Sequence, residues 1–138
     1  MVRVVKPGGL VSSYVWDSLA GGSPAEPIVA ELRAMGFTLA APPSEAASRM
    51  DALHALWSEA GLTSITTHVI TVRRTFPAFD DFWSISTKNP RVAPTVAALT
   101  QADTALLQAR LRQRLPADAD GSITYAAWAN AIQGRKPG

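Results

Sequence analysis

The chain has 138 residues, a length that suits one modest domain able to bury roughly two-thirds of the surface its unfolded form exposes. A hydrophobic fraction of 47% and a charged fraction of 17%, with nine glycines and ten prolines, exclude a disordered tail, a collagen-like chain and a coiled coil. There is no cysteine, which excludes disulfides, thiolate metal sites and thiol nucleophiles, and the net charge is only +2. The basic residues are scattered apart from Arg73-Arg74, Arg110 to Arg114 and Arg135-Lys136, which is too thin a basic face for a nucleic-acid partner. No apolar run approaches the roughly 20 residues of a membrane span, and none follows Arg3 and Lys6 as a signal peptide requires. The expectation is a cytoplasmic protein with no membrane partner, folded as a single domain over residues 1–138.

The first element follows Lys6-Pro7-Gly8-Gly9, where proline fixes φ and the glycines permit a tight turn. Residues 10–16 then read as a strand rich in β-branched and aromatic side chains. Its small and apolar residues fall on both faces, which implies cover on both sides. Residues 27–35 read as a short helix, with Pro27 in the first turn, Gly36 as the stop, and an apolar stripe of Ile28, Leu32 and Met35. Residues 49–60 form a second helix. Ser48 and Asp51 have capping-box spacing, Leu53, Leu56, Trp57 and Ala60 share a face, and Gly61 ends it.

Residues 64–76 are a long strand of Thr, Val and Ile that Pro77 ends. Residues 79–86 begin with a helical turn carrying an aromatic face. Helices follow at 92–99 and 101–115. The last of these has Thr100 and Asp103 in capping-box spacing, a stripe of Leu106, Leu107, Leu111 and Leu115, and arginines near its C-terminal end. Asp118-Ala119-Asp120-Gly121 is a turn. Residues 122–133 read as a final strand, because Ile123, Thr124 and Tyr125 outweigh the helical preference of the alanines. Loop-rich stretches lie at 18–27 and 38–48, and neither is a domain linker. The residues alone describe an α/β domain with about three strands.

No complete active site is visible. His54 and His68 are two isolated histidines without metal-ligand or His-Glu-x-x-His spacing, and both read as structural. No Gly-x-Ser-x-Gly elbow and no Gly-x-Gly-x-x-Gly loop is present. Aligning Gly121 with the glycine of a calcium loop puts Pro116 and Ala127 where acidic ligands belong, so Asp118 and Asp120 mark a turn. Asp80 and Asp81 are adjacent and so do not face each other on a helix. They suit its N-terminal end instead.

The stretch Arg3-Val4-Val5-Lys6-Pro7-Gly8-Gly9-Leu10-Val11 resembles the segment before the fifth strand of class I S-adenosylmethionine-dependent methyltransferases. Tyr14-Val15-Trp16-Asp17, Leu53-x-x-Leu56-Trp57-x-x-Ala60-Gly61-Leu62, Phe76-x-x-Phe79-Asp80-Asp81-Phe82-Trp83 and Leu115-Pro116…Asp120-Gly121-Ser122-Ile123 are similar to a subgroup of small bacterial members. The resemblance spans nearly the whole chain but matches the C-terminal half of the family only. It implies a partial Rossmann-like fold in which residues 10–16, 64–76 and 122–133 are strands five, six and seven. Strand seven is antiparallel between the other two, and helices 79–86, 92–99 and 101–115 form an insertion.

The family's cofactor site lies on its first four strands, which the matched part does not include. The resemblance therefore implies S-adenosylmethionine as the family's cofactor but no cofactor-binding residue in this chain, and no metal. The expectation is a methyltransferase-family chain, acting on a small acceptor, that is inactive in isolation. An oligomerisation or binding module, or a truncated remnant, is the alternative. Met1 is equally readable as a native start or as an internal methionine of a longer frame. Strand 10–16 would lack its neighbour, so a homodimer or a partner covering it is expected. Ligands meet such sheets at the C-terminal strand ends, which makes Trp16 and Asp17 candidate substrate-binding residues, with Phe82 and Trp83 as candidate cover for the pocket.

Overall fold

The computed structural model describes residues 2–138. Its elements, in order, are β1 (Leu10–Trp16), α1 (Glu26–Ala34), α2 (Met50–Glu59), β2 (Thr63–Phe76), α3 (Phe79–Ser86), α4 (Ala93–Ala97), α5 (Gln101–Arg114) and β3 (Ile123–Arg135). Short 3-10 turns occur at Val2–Val4 and Glu45–Ser48. The fold is α/β, as the sequence implies.

Among the described residues the sheet has three strands in the order β1-β3-β2. β1 runs antiparallel to β3, with Leu10 opposite Arg135, Ser13 opposite Ile132 and Trp16 opposite Ala129. At one end of the β2–β3 pair the Thr63 hydroxyl donates to the Arg135 carbonyl at 3.3 Å. At the other end the hydroxyls of Thr75 and Thr124 lie 2.8 Å apart. The pairing of low with high numbers makes β2 antiparallel to β3 as well. The last strand is thus central and opposed to both neighbours, the arrangement the family resemblance implies.

Contacts group the chain into two compact units. The first comprises the chain up to Ser23, residues Pro43–Val72 and Ala127–Gly138. Its core gathers Val11 of β1, Leu53 and Trp57 of α2, Leu62 and Ile132 of β3. Alanines at 127, 129 and 131 are buried in β3. The strand prevails over alanine's helical preference there because each small side chain is enclosed while the backbone is paired on both sides.

The second unit comprises Pro24–Pro42 and Arg73–Ala126. Ile28, Val29 and Leu32 of α1, Phe76 at the end of β2, Phe82 of α3, Val92, and Leu107 and Leu111 of α5 are all buried in its core. α1 packs on α5. Their contact also carries an ion triad. Glu31, 8% exposed, accepts from Arg110 Nε at 2.7 Å and from Arg114 Nη1 at 3.2 Å. The arginines expected to suit the helix end are therefore fixed by a specific partner.

Gly36 and Gly61 take positive φ of 89° and 77° and stop α1 and α2 as expected. The Lys6-Pro7-Gly8-Gly9 turn has a structural purpose. Gly8 sits at φ 74°, its N–H donates to the Lys136 carbonyl at 2.8 Å, and Lys136 N–H returns a bond to the Gly9 carbonyl at 3.0 Å. A side chain at Gly9 would meet Val5 Cγ1 at 2.6 Å. The motif ties the entry of β1 to the exit of β3.

Several expectations are corrected. Ser48 does not cap α2. It is buried at the end of the preceding 3-10 turn, its hydroxyl donating to the Glu45 carbonyl at 2.7 Å, and Arg49 stands at the N-cap. The Thr100–Asp103 cap does form, with Asp103 N–H donating to Thr100 Oγ1 at 3.1 Å. The helix expected over 92–99 is only the five residues of α4, and β3 runs two residues beyond the predicted end. β1 is not covered on both sides. Val11 is buried, whereas Leu10 is 53% and Tyr14 73% exposed, because α2 packs on one face of this strand alone. No helix among the described residues is long and apolar enough to cross a membrane.

Candidate functional site

Trp16 ends β1, and Asp17 begins the loop that follows. That loop is held tightly to β3. Asp17 N–H donates to the Trp128 carbonyl at 3.2 Å, Gly22 N–H to the Asp17 carbonyl at 2.7 Å, and Trp128 N–H to the Gly22 carbonyl at 2.9 Å. Gly22 is required by close approach: a Cβ there would lie 2.5 Å from the Trp128 carbonyl oxygen and 2.9 Å from its indole nitrogen.

The Asp17 carboxylate is oriented by neutral donors. Asn130 Nδ2 donates to Oδ2 at 3.0 Å and Ala20 N–H to Oδ1 at 3.3 Å. Asn130 is 2% exposed, and the same amide nitrogen donates to the Ser48 carbonyl at 2.8 Å. One buried side chain thus joins the end of β1, the segment before α2 and the middle of β3.

Asp17 lines a wide, open cavity of about 440 Å³ together with Leu19, Ala20, Arg49, Met50 and Asp51. Arg49 grips Asp51 with two bonds, Nε to Oδ1 at 3.0 Å and Nη2 to Oδ2 at 2.9 Å. The bond from Arg49, and then that from Ala52 N–H, hold the Asp51 carboxyl below its usual range. With Arg49 matched by Asp51, the second carboxylate gives the lining a net negative charge. This lining favours a ligand that presents a positive or hydrogen-donating group.

The four predicted residues divide between the units. Trp16 and Asp17 belong to the first, and only Asp17 lines the cavity; Trp16 is 36% exposed. Phe82 and Trp83 belong to the second. Phe82 does not cover a pocket, because it is fully buried, edge-on to Phe76 and Tyr125 at centroid distances of 5.5 and 5.9 Å. Trp83 is half-buried and stacks on Phe79 at 6.4 Å.

Arg49, Asp51 and Asn130 are absent from the sequence-based set. Asn130 carries the one available signal, a polar residue amid strand alanines. The remaining acidic groups take the roles expected of them. Asp80 is exposed in the first turn of α3 and lies 3.7 Å from Arg112. Asp120 Oδ1 accepts from Ser122 N–H at 2.9 Å within its turn. His54 is exposed on α2, its Nδ1 3.5 Å from the Ser58 hydroxyl. Among the described residues no group of three or more His, Cys, Asp or Glu side chains is placed to hold a metal ion.

The first strand does lead through a glycine pair to a helix, the setting in which a nucleotide-type cofactor is held elsewhere. Here the space beside Gly22 is filled by Trp128, and Asp17 is already bonded to Asn130 and Ala20. These residues do not fit S-adenosylmethionine.

No family model and no curated protein matches the chain. Among solved structures, one described as a "putative methyltransferase" from Bacillus halodurans aligns with 99% of this chain at 14% identity and a TM-score of 0.42. The chain spans 55% of that protein, about half its length. So low a score and identity give the likeness no weight for activity.

Proposed function

We propose that this chain is the C-terminal portion of a methyltransferase-type fold, that it contributes the acceptor side of the site through the Asp17 cavity, and that alone it neither binds S-adenosylmethionine nor transfers a methyl group. The sheet order carries this reading. A final strand inserted antiparallel between two earlier ones is what the motif resemblance requires of these three segments, and β1-β3-β2 is the order found. In such sheets ligands gather beyond the C-terminal strand ends, where Asp17 stands. Methyl transfer is largely a matter of holding donor and acceptor in line, so a cavity that orients an acceptor without a nucleophile suits it.

Calorimetry with S-adenosylmethionine tests the reading. The 138-residue chain is expected to give no heat of binding, while a product extended by any in-frame upstream sequence encoding a strand, a glycine-rich loop and a helix binds it. Micromolar binding by the chain alone overturns the reading, as does an extended product of that kind that fails to bind.

A second reading, self-association, is favoured by the free edge of β1. Residues 10–16 contain no charge and no proline, the usual guards of an edge strand, and present Leu10, Tyr14 and Trp16 to solvent. Two copies of β1 can pair antiparallel about Ser13. Sedimentation equilibrium is expected to show a dimer with slow amide exchange along β1. A monomer with fast exchange there removes this reading without touching the first.

A further inference from the structure

A recess in the second unit, separate from the Asp17 cavity, collects hydrogen-bond donors and positive charge with no carboxylate in its lining. It has a volume of about 240 Å³, and its walls include Arg74, Ser86, Lys88, Asn89, Tyr125 and Pro24. Arg74 is two residues from the C-terminal end of β2, Ser86 ends α3, and Lys88 and Asn89 follow it.

The polar groups differ in what they have left to offer. Tyr125 is committed, its hydroxyl donating to the Pro24 carbonyl at 3.0 Å. Asn89 is half committed: its Oδ1 accepts from Arg91 N–H at 3.0 Å, which fixes the amide and leaves the NH₂ group as the donating end. Arg74 lies over the Phe76 ring, its Cζ 4.6 Å from the centroid, a contact that steadies the guanidinium without using its N–H donors. Burial raises the Tyr125 hydroxyl above its ordinary value, and a hydrogen bond with the Ser86 side chain, then the nearby Arg74 charge, oppose that rise, so the Ser86 hydroxyl is engaged too. The α3 carbonyls that could repel an anion are occupied, with Trp83 O accepting from Thr87 N–H and Ile85 O from Lys88 N–H.

We propose that this recess binds the oxyanion end of a small molecule, a carboxylate or a phosphate monoester, with Arg74 and Lys88 as charge partners and the Asn89 amide as a neutral donor. A planar guanidinium steadied on an aromatic ring suits the paired oxygens of either group. The volume falls below the roughly 300 Å³ at which drug-sized ligand pockets begin, so the recess takes a headgroup and a few further atoms. The proposal is independent of the methyltransferase reading and stands if that reading fails.

The test is an amide NMR titration of the full chain with inorganic phosphate and, separately, with acetate, each against sodium chloride at matched ionic strength. Saturable shifts are expected at Ser86, Lys88, Asn89 and Tyr125 with at least one of the two probes, and the tighter probe identifies the headgroup class. Arg74→Gln and Lys88→Gln are each expected to weaken binding about two- to fivefold, the range of exposed ion pairs, while Arg33→Gln, a cation outside the recess, leaves it unchanged. Both recess substitutions are at exposed positions, and retained spectral dispersion verifies the fold. Shifts that follow ionic strength alone, shifts spread over unrelated cations, or equal affinity in all three variants overturn the proposal.

Discussion

Replacing Asn130 by alanine removes two hydrogen bonds from one buried position. Its amide nitrogen donates at 3.0 Å to the Asp17 carboxylate and at 2.8 Å to the Ser48 carbonyl. A bond to a charged partner contributes about 1.5–3 kcal/mol, and a buried acceptor left without a donor costs about 1–3 kcal/mol. The two losses are not equal here. Asp17 is half-buried, so water replaces part of its lost partner, whereas Ser48 is 3% exposed and its carbonyl stays dry. The expected loss is therefore about 2.5–4 kcal/mol, in the lower part of the summed range.

Urea unfolding at pH 7 measures it, with an unchanged m-value showing that the unfolded state is the same. Asn130→Leu separates hydrogen bonding from volume. It fills the space but leaves the Ser48 carbonyl orphaned, so it is expected to be destabilised about as much as Asn130→Ala. A cycle with Asp17→Ala should return a coupling of about 1–2 kcal/mol, reduced from the charged-bond range by the exposure of Asp17. A loss below about 0.5 kcal/mol for Asn130→Ala, or wild-type stability in Asn130→Leu, refutes the view that Asn130 holds this junction by hydrogen bonds.

Other outcomes follow from the same reasoning. Glu31→Ala is expected to cost about 1–3 kcal/mol in urea unfolding, less than a fully buried ion pair because Arg110 and Arg114 remain 40% and 44% exposed and can rehydrate. Glu31→Leu should recover part of that loss by filling the α1–α5 contact. Gly22→Ala is expected to lower stability by about 1–3 kcal/mol and shift the Trp128 emission, since the new methyl meets a backbone oxygen at 2.5 Å. In Tyr14→Phe, which leaves Tyr125 as the remaining tyrosine, phenolate absorbance should titrate with a midpoint above 10.0, because burial raises the Tyr125 hydroxyl from that value. The stability this protonated phenol supplies is complete below about pH 10, the unfolded value, and is lost as pH rises through the folded one. A midpoint at or below 10.0 contradicts the buried placement.

Local chemistry was legible where one residue type decides the outcome. β-branched runs marked β1 and β2, the Thr100–Asp103 spacing marked a cap that forms, and Gly36 and Gly61 marked two helix ends. It misled at Ser48, whose spacing to Asp51 matches a capping box. Burial claims the Ser48 hydroxyl for Glu45, and the Arg49–Asp51 pair claims the carboxylate. Phe82 misled in the same way. An aromatic on a short helix is equally a lid or a core residue, and only the three-ring cluster with Phe76 and Tyr125 decides for the core. Asn130 stands out in the sequence only as a polar residue amid strand alanines, and its role could not be read there because its partners are 113 and 82 residues away.

The glycines show why motif and geometry must be weighed together. Gly8-Gly9 and Gly21-Gly22 flank β1, and the second pair, between β1 and α1, stands where a backbone would come close to a phosphate or a cofactor in a nucleotide-type fold. In this chain both pairs are spent internally. Gly8 and Gly9 exchange bonds with Lys136, and Gly22 lies against Trp128. Each contact joins β1 to β3, so the two glycine pairs fasten the two ends of a single strand pairing. A cofactor drawn to either position would have to break that pairing before it could bind. Among the side-chain surfaces left open, the Asp17 cavity and the Arg74 recess have linings of opposite charge, so a ligand suited to one is unsuited to the other.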